Sequence, residues 1–124
     1  MCSSDLLKKI TGLPAVAMPP AAGAHGELCG MMAIRAAHEA KGDKKRTRVL
    51  IPESAHGTNP ATAAQCGFEV DPIPGNARGR VDLAAVKAKL GPDVAGIMLT
   101  NPNTLGLFEN EVIEVANAIH SVGG

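Results

Sequence analysis

Three short loops contain the residues of this chain that are best suited to chemistry. They are AAGAHGE (residues 21–27), PESAHGTNP (52–60) and TNPNTLG (100–106), and each is rich in glycine, proline and small polar residues. Two of them follow apolar runs of strand type, and parallel α/β sheets bind ligands beyond the carboxyl ends of their strands. We therefore expect the three loops to converge on one site.

The first loop leads into a predicted helix. The backbone N–H groups of Gly23, Ala24, His25 and Gly26 would then be unpaired at a helix N-terminus, which suits a phosphate or a carboxylate. An ordinary glycine-containing helix start is the alternative interpretation. The loop is not a P-loop, because no G-x-x-x-x-G-K-[ST] pattern occurs.

His56 stands in the second loop among small residues and turn formers, directly after a strand-like run. It is either a loop histidine held by hydrogen bonds or a flat ring that lies against a planar ligand. A metal ligand is the third option. The histidines form no H-x-x-x-H pair and no cysteine lies at ligand spacing, so we expect no metal site.

The third loop offers the side chains of Asn103 and Thr104, which could hydrogen-bond a ring oxygen. Turn formation alone also explains this composition. Neither a G-x-S-x-G elbow nor a G-x-G-x-x-G fingerprint is present, which argues against a serine nucleophile and a dinucleotide site.

Helices and strands alternate in the pattern of a three-layer α/β fold with a parallel sheet. Strands are predicted at 47–52, 67–74 and 94–100, and the last, as the most apolar, is expected to be central. Helices are predicted over 1–14, over 27–42, from Pro60 to Cys66 with Asn59 as the cap, over 83–91 with Asp82 as the cap, and over 110–124.

The amino-acid composition limits the classes of partner and the cellular compartment that we expect for this chain. Twelve basic and twelve acidic residues balance, so we expect no nucleic-acid partner. No apolar run is long enough to span a membrane, and scattered, unpaired cysteines suit the cytoplasm. With two Phe and no Trp or Tyr the core would be thin, which indicates part of a larger folding unit.

Taken together, PAAGAHGELCGMMAIRAAHEAKG, VLIPESAHGTNPATAAQCGFEV and IMLTNPNTLGLFE closely resemble the P-protein of the glycine cleavage system. This family comprises the pyridoxal 5′-phosphate-dependent, decarboxylating glycine dehydrogenases, and the likeness is nearest to the carboxyl-terminal subunit of the two-subunit bacterial form. The resemblance implies the aspartate-aminotransferase-like (fold type I) transferase fold. Residues 1–124 would be part of its large domain, with a lead-in over 1–22 and an alternating core over 23–124.

The resemblance also implies roles and partners. The helix start at Gly23, Ala24 and His25 would hold the cofactor phosphate, His56 would stack on the pyridine ring, and Asn103 or Thr104 would contact the ring hydroxyl. The family decarboxylates glycine and passes the aminomethyl group to the lipoylated H-protein. The other P-protein subunit is expected as a partner in a heterotetramer.

Two family motifs are absent: the DGAN strand that provides an aspartate to the pyridine nitrogen, and the His-Lys motif that provides the Schiff-base lysine. We therefore expect a fragment that is truncated before both, contains no catalytic residue and is inactive alone. The alternatives are a stand-alone α/β module with weak anion or pyridoxal-phosphate binding, and a non-functional truncated product.

Overall fold

The computed structural model describes residues 2–124, so Met1 lies outside the described part of the chain. Helices and strands follow one another in the predicted order. They are α1 (Ser3–Thr11), α2 (Gly23–Ala40), β1 (Arg48–Pro52), α3 (Thr58–Gln65), β2 (Glu69–Ile73), α4 (Leu83–Ala88), β3 (Val94–Ile97) and α5 (Val112–Ser121).

The three strands form one parallel sheet in the order β2-β1-β3, which confirms the predicted sheet type. The prediction that residues 94–100 form the central strand is wrong, because β1 lies in the middle and β3 pairs on one side only within residues 2–124. A strand that is covered by helices on both faces is apolar wherever it stands in the sheet. The apolarity of residues 94–100 therefore indicates that this strand is buried between two layers, and not that it is central in the sheet.

Alternation along β1 divides the core into two layers. Val49 and Ile51 face α2 and α3, where Met31 and Phe68 complete one cluster. Leu50 points to the opposite face, in a second cluster with residues of α4 and α5. Because Leu50 has no exposed surface, truncation there would cost about 2–5 kcal/mol. The sheet between the layers is the rigid platform that positions the loops.

Helix starts differ from the sequence predictions at two points. Helix α2 begins at Gly23, earlier than predicted, so Gly23, Ala24 and His25 form its first turn. The prediction that Asn59 caps α3 is wrong: Gly57 is the N-cap, and Asn59 is a buried residue of the first turn. The predicted cap at Asp82 is confirmed, since its Oδ1 accepts from the amides of Ala84 (2.8 Å) and Ala85 (3.3 Å).

Charged side chains cluster near the amino end of the sheet. The guanidinium of Arg48 donates to Asp71 (2.5 Å) and in bidentate fashion to Asp93 (2.8 and 3.0 Å). Lys89 donates to the other oxygen of Asp71 (2.5 Å). These four residues, the ion cluster, join β1 and β2 to the segment that precedes β3.

Helix α1 stands apart from the core. None of its residues is buried, and Leu6 and Ile10 are 49% and 71% exposed. None of the helices within residues 2–124 is both long and apolar enough to cross a membrane.

Candidate functional site

The first turn of α2 presents unpaired backbone donors. Its N-cap, Ala22, makes no side-chain cap, and the first intrahelical bond begins only at Gly26, whose N–H donates to the Ala22 carbonyl (3.1 Å). The prediction that the Gly26 amide is unpaired is therefore wrong, because the helix already starts at Gly23. Within residues 2–124 the N–H groups of Gly23, Ala24 and His25 have no hydrogen-bond acceptor. A methyl group added at Gly23 would meet no atom within 4 Å. The helix end is therefore open, rich in donors and positively polarised.

A hydrogen-bonded clip connects α2 to the start of α3. The Thr58 hydroxyl donates to Oε2 of Glu27 (3.0 Å). The amide nitrogen of Asn59, in the orientation that its surroundings favour, donates to the two oxygens of Glu27 at 3.1 and 3.2 Å. One carboxylate on α2 thus holds the first two residues of α3.

The same threonine holds His56. Nδ1 of His56 accepts from the Thr58 amide (3.2 Å) and lies 3.0 Å from the Thr58 hydroxyl oxygen. The imidazole itself is exposed. The structure therefore contains the hydrogen-bonded loop histidine of the first interpretation, and it leaves one edge and the faces of the ring accessible as the second requires.

Thr104 ties the third loop to the second, because its hydroxyl donates to the carbonyl of Ser54. This contact and the clip at Glu27 link all three loops, as the sequence predicted. None of the lysines lies in any of the three loops.

The side chain of Asn103 is instead fully engaged by other groups of the protein. Its Nδ2 donates to Gly79 (3.0 Å) and Glu109 (2.8 Å), and its Oδ1 accepts from the amides of Leu105 (3.0 Å) and Leu107 (3.1 Å). The residue is 6% exposed. All hydrogens of the amide are engaged, so it has no donor left for a ligand. The exposed Thr104 hydroxyl is the accessible group of the pair.

Glu27 is the last residue of the first loop, and the sequence pattern assigned it no role. The signal that could have indicated it is the pair Thr58-Asn59 at the start of a helix, since two polar side chains there need hydrogen-bond acceptors. A cleft of about 270 Å³ opens beside the clip and is lined by Glu27, Asn59 and the chain that follows β3.

A larger cavity, about 490 Å³, lies away from the loops between α2 and the start of β1. Its two arginines are already committed: Arg46 donates to the carbonyls of Val94 and Val122 (2.7 Å each), and Arg35 donates to the carbonyl of Cys66 (2.5 Å). Bound in this way, the two arginines join loops and strands and are not free to bind an anion. We therefore place the candidate site at the three loops, in spite of the smaller cleft.

The residues of the three loops suit a small, flat, phosphorylated ligand. Open amides at a helix start match a phosphate, an exposed imidazole matches a ring face, and a hydroxyl matches a ring oxygen. Within residues 2–124 no group of three or more His, Cys, Asp or Glu side chains is arranged to hold a metal ion.

Comparison with known proteins finds close relatives. The chain is 54% identical over 120 residues to a glycine dehydrogenase (decarboxylating) subunit 2 of Thiobacillus denitrificans, covering 97% of the chain and 25% of that protein. It is 62% identical over 117 residues to the same subunit of Caulobacter vibrioides, covering 94% of the chain and 22% of that protein. The chain thus spans about a quarter of the length of these relatives. No family model matches it.

Among solved structures, a glycine decarboxylase (P-protein) of the glycine cleavage system, in inhibitor-bound form, superposes with a TM-score of 0.77. The match covers 98% of this chain and 26% of that one, at 22% identity. At this identity the likeness establishes the fold, and it confirms the predicted fold class.

Proposed function

We propose, from the premise that this chain belongs to the glycine dehydrogenase (decarboxylating) subunit 2 family over the quarter of that protein that it spans, that its three loops form part of a pyridoxal 5′-phosphate site. The observation that carries the proposal is the open first turn of α2, tied through Glu27 to an exposed imidazole. The whole enzyme of this family would decarboxylate glycine.

The phosphate would be held by the N–H groups of Gly23, Ala24 and His25. Three unpaired amides and the helix dipole favour a dianion there without a charged side chain. No acidic residue stands in the first turn of α2 to oppose it.

The ring would be held by His56 and Thr104. The His56 imidazole is fixed on its Nδ1 edge by Thr58, which leaves a face free to stack on a planar ring. Between the two candidates for the ring hydroxyl we assign Thr104, because the buried Asn103 side chain is fully engaged, whereas the exposed Thr104 hydroxyl, whose hydrogen is given to Ser54, still has an oxygen that can accept from the ring hydroxyl.

When bound, the cofactor supplies an electron sink for the loss of carbon dioxide from an amino acid. The residues of this chain contribute binding and orientation to that reaction. Since no lysine lies in the three loops, we expect no decarboxylation of glycine by the chain alone. Glycine, the lipoylated H-protein and a second P-protein subunit are proposed as partners of the whole enzyme, and the cytoplasm is proposed as its location.

The test uses 4′-deoxypyridoxine 5′-phosphate, which has no aldehyde and so cannot form Schiff bases with surface lysines. Gly23→Pro removes one N–H of the first turn at the helix position where proline is best tolerated, after an extended Ala22 (φ −150°, ψ 164°). Gly23→Ala is the matched control, since it keeps the N–H and has room for the methyl group.

We expect saturable binding that weakens about tenfold in Gly23→Pro, the value of a hydrogen bond to a charged group, and stays within about twofold in Gly23→Ala. Absent binding, or equal affinity in the two variants, would overturn the proposed phosphate site. The affinity for inorganic phosphate, measured in parallel, separates the contributions of the phosphate and the ring. A site that also contacts the ring binds the analogue more tightly than it binds phosphate.

A further inference from the structure

The carboxylate of Glu27 faces α3 instead of the open helix end that it follows. It accepts three hydrogen-bond contacts, one from Thr58 (3.0 Å) and two from Asn59 (3.1 and 3.2 Å). Asn59 is 3% exposed, so its amide would be unsatisfied without this acceptor. Groups this well matched hold the two helix starts in a single relative position.

From Thr58 the connection continues to His56. The Thr58 hydroxyl has one hydrogen, and in the structure it is given to Glu27. The Thr58 amide hydrogen is directed at Nδ1 of His56. The backbone N–H of Asn59 donates to the backbone carbonyl of His56 (2.9 Å). The backbone and the ring of His56 are therefore both held by Thr58 and Asn59, the two residues that hydrogen-bond to Glu27.

We propose that Glu27 is a positioning residue for His56 and that it acts through Thr58. It takes the hydroxyl hydrogen of Thr58 and so keeps that hydrogen away from Nδ1. It also fixes the start of α3, and thereby the imidazole, relative to the first turn of α2. This inference rests on the proposed function for its purpose, because the phosphate and ring contacts of one ligand must keep a constant separation.

The ligand-free chain provides the first readout. In Glu27→Ala the Thr58 hydroxyl hydrogen is released and can turn to Nδ1, so the ¹⁵N resonance of His56 Nδ1 should shift. Glu27→Gln keeps one oxygen for the Thr58 hydroxyl, while Asn59 can turn its amide to accept from the new side chain, so the wild-type resonance should be largely restored. Rescue by Gln would show that the acceptor oxygen matters and not the charge.

Glu39→Ala is the matched control on the same helix. Within residues 2–124 the Glu39 side chain pairs only with Arg35 (2.9 Å), and the two side chains are more than half exposed, at 58% and 52% respectively. The His56 signal should not move in this variant. An unchanged His56 signal in folded Glu27→Ala, or an equal shift in Glu39→Ala, would overturn the inference.

Thr58→Val tests the route and protects the test against a poorly folded Glu27→Ala. This change removes the bridging hydroxyl and leaves Glu27 in place. In its background Glu27→Gln and Glu27→Ala should move the His56 Nδ1 signal much less than in the wild-type background, since only the Asn59 contacts to Glu27 remain. A shift of equal size with and without the Thr58 hydroxyl would show that Glu27 acts by another path and would refute the proposal.

Affinity for 4′-deoxypyridoxine 5′-phosphate is the second readout. We expect Glu27→Ala to weaken it about fivefold, in the range of couplings between hydrogen-bonded neighbours, and Glu27→Gln to restore most of it. If the wild-type chain does not bind the analogue at all, the proposed function fails. The ligand-free His56 signals would still decide the positioning role, so the two failures are distinguishable.

Discussion

The two ends of the parallel sheet use polar residues in opposite ways. At the amino end, Arg48, Asp71, Lys89 and Asp93 satisfy one another in a closed ion cluster. At the carboxyl end, the first turn of α2 has free amides and the His56 ring is exposed. Polar groups that are satisfied internally stabilise a fold, whereas those that stay open are available to a ligand. The contrast separates the residues that build this chain from those that we propose to bind.

The largest effect should come from Asn103, which lies at the carboxyl end but behaves like the ion cluster. Asn103→Ala removes four hydrogen bonds and leaves buried Glu109 without its amide donor. We expect a loss of about 3 kcal/mol in the free energy of unfolding. Urea denaturation measures it, with Asn117→Ala, at an exposed helix position, as the control that should stay within about 0.5 kcal/mol. Equal stability of the two variants would place Asn103 among the open groups.

Arg48→Met should have the next largest effect. It leaves Asp71 and Asp93 without their shared guanidinium, and Arg48 is 18% exposed, which reduces the cost. We expect about 2 kcal/mol of destabilisation and unchanged affinity for 4′-deoxypyridoxine 5′-phosphate in the folded fraction. Arg78→Met, at an exposed turn, is the control for loss of a positive charge. A selective loss of affinity in Arg48→Met would contradict the separation of the two ends.

His56→Ala should show the reverse pattern. Because the ring is exposed, stability should change by no more than about 0.5 kcal/mol. Loss of a stacking partner should weaken binding of the analogue about tenfold. His120→Ala, at an exposed position of α5, is the matched control and should alter neither quantity. A destabilised His56→Ala with unchanged affinity would make His56 a structural residue.

Acid should act on the amino end. Burial opposes ionisation of Asp71, but hydrogen bonds from Lys89 and Arg48 outweigh it and lower its pKa from 3.8. The hydrogen bond from Arg48 likewise lowers the pKa of Asp93 from 3.8. A carboxylate with a lowered pKa stabilises the fold above its unfolded pKa, and that contribution disappears as pH falls through the folded value.

Stability should therefore decline gradually below about pH 4. Urea midpoints measured from pH 6 to pH 2 should show this decline, and Arg48→Met should flatten it. A slope that is the same in both proteins would mean that the ion cluster is not its source.

The sequence indicated where the three loops lie, but not which hydrogen bonds form within and between them. Glycine, proline and small polar residues marked all three loops, two of them after strand-like runs, and the alternation of elements indicated the parallel sheet. Asn59 was misjudged as a cap because local pattern shows a polar side chain near a helix start, but not that Glu27 of another helix accepts from it. Asn103 and Thr104 were indistinguishable for a similar reason, since one acceptor of the Asn103 amide, Gly79, lies 24 residues away in the sequence and the burial of the other, Glu109, is set by the fold.

The sequence pattern also did not predict the order of the strands in the sheet. Residues 94–97 and β1 both contribute apolar side chains to the two clusters, because helices cover both faces of the sheet. Which strand stands in the middle depends on the crossover connections and on the pairs formed. Apolarity does not record either of these.

The most direct test of the central claim is an amide chemical-shift map of the wild-type chain titrated with 4′-deoxypyridoxine 5′-phosphate. The account predicts saturable shifts of the amides of Gly23, Ala24 and His25, together with those around His56 and Thr104, while the amides of Arg48 and Asp71 remain unchanged. Shifts confined to the cavity beside Arg35 and Arg46, or no saturable shift in the three loops, would contradict it.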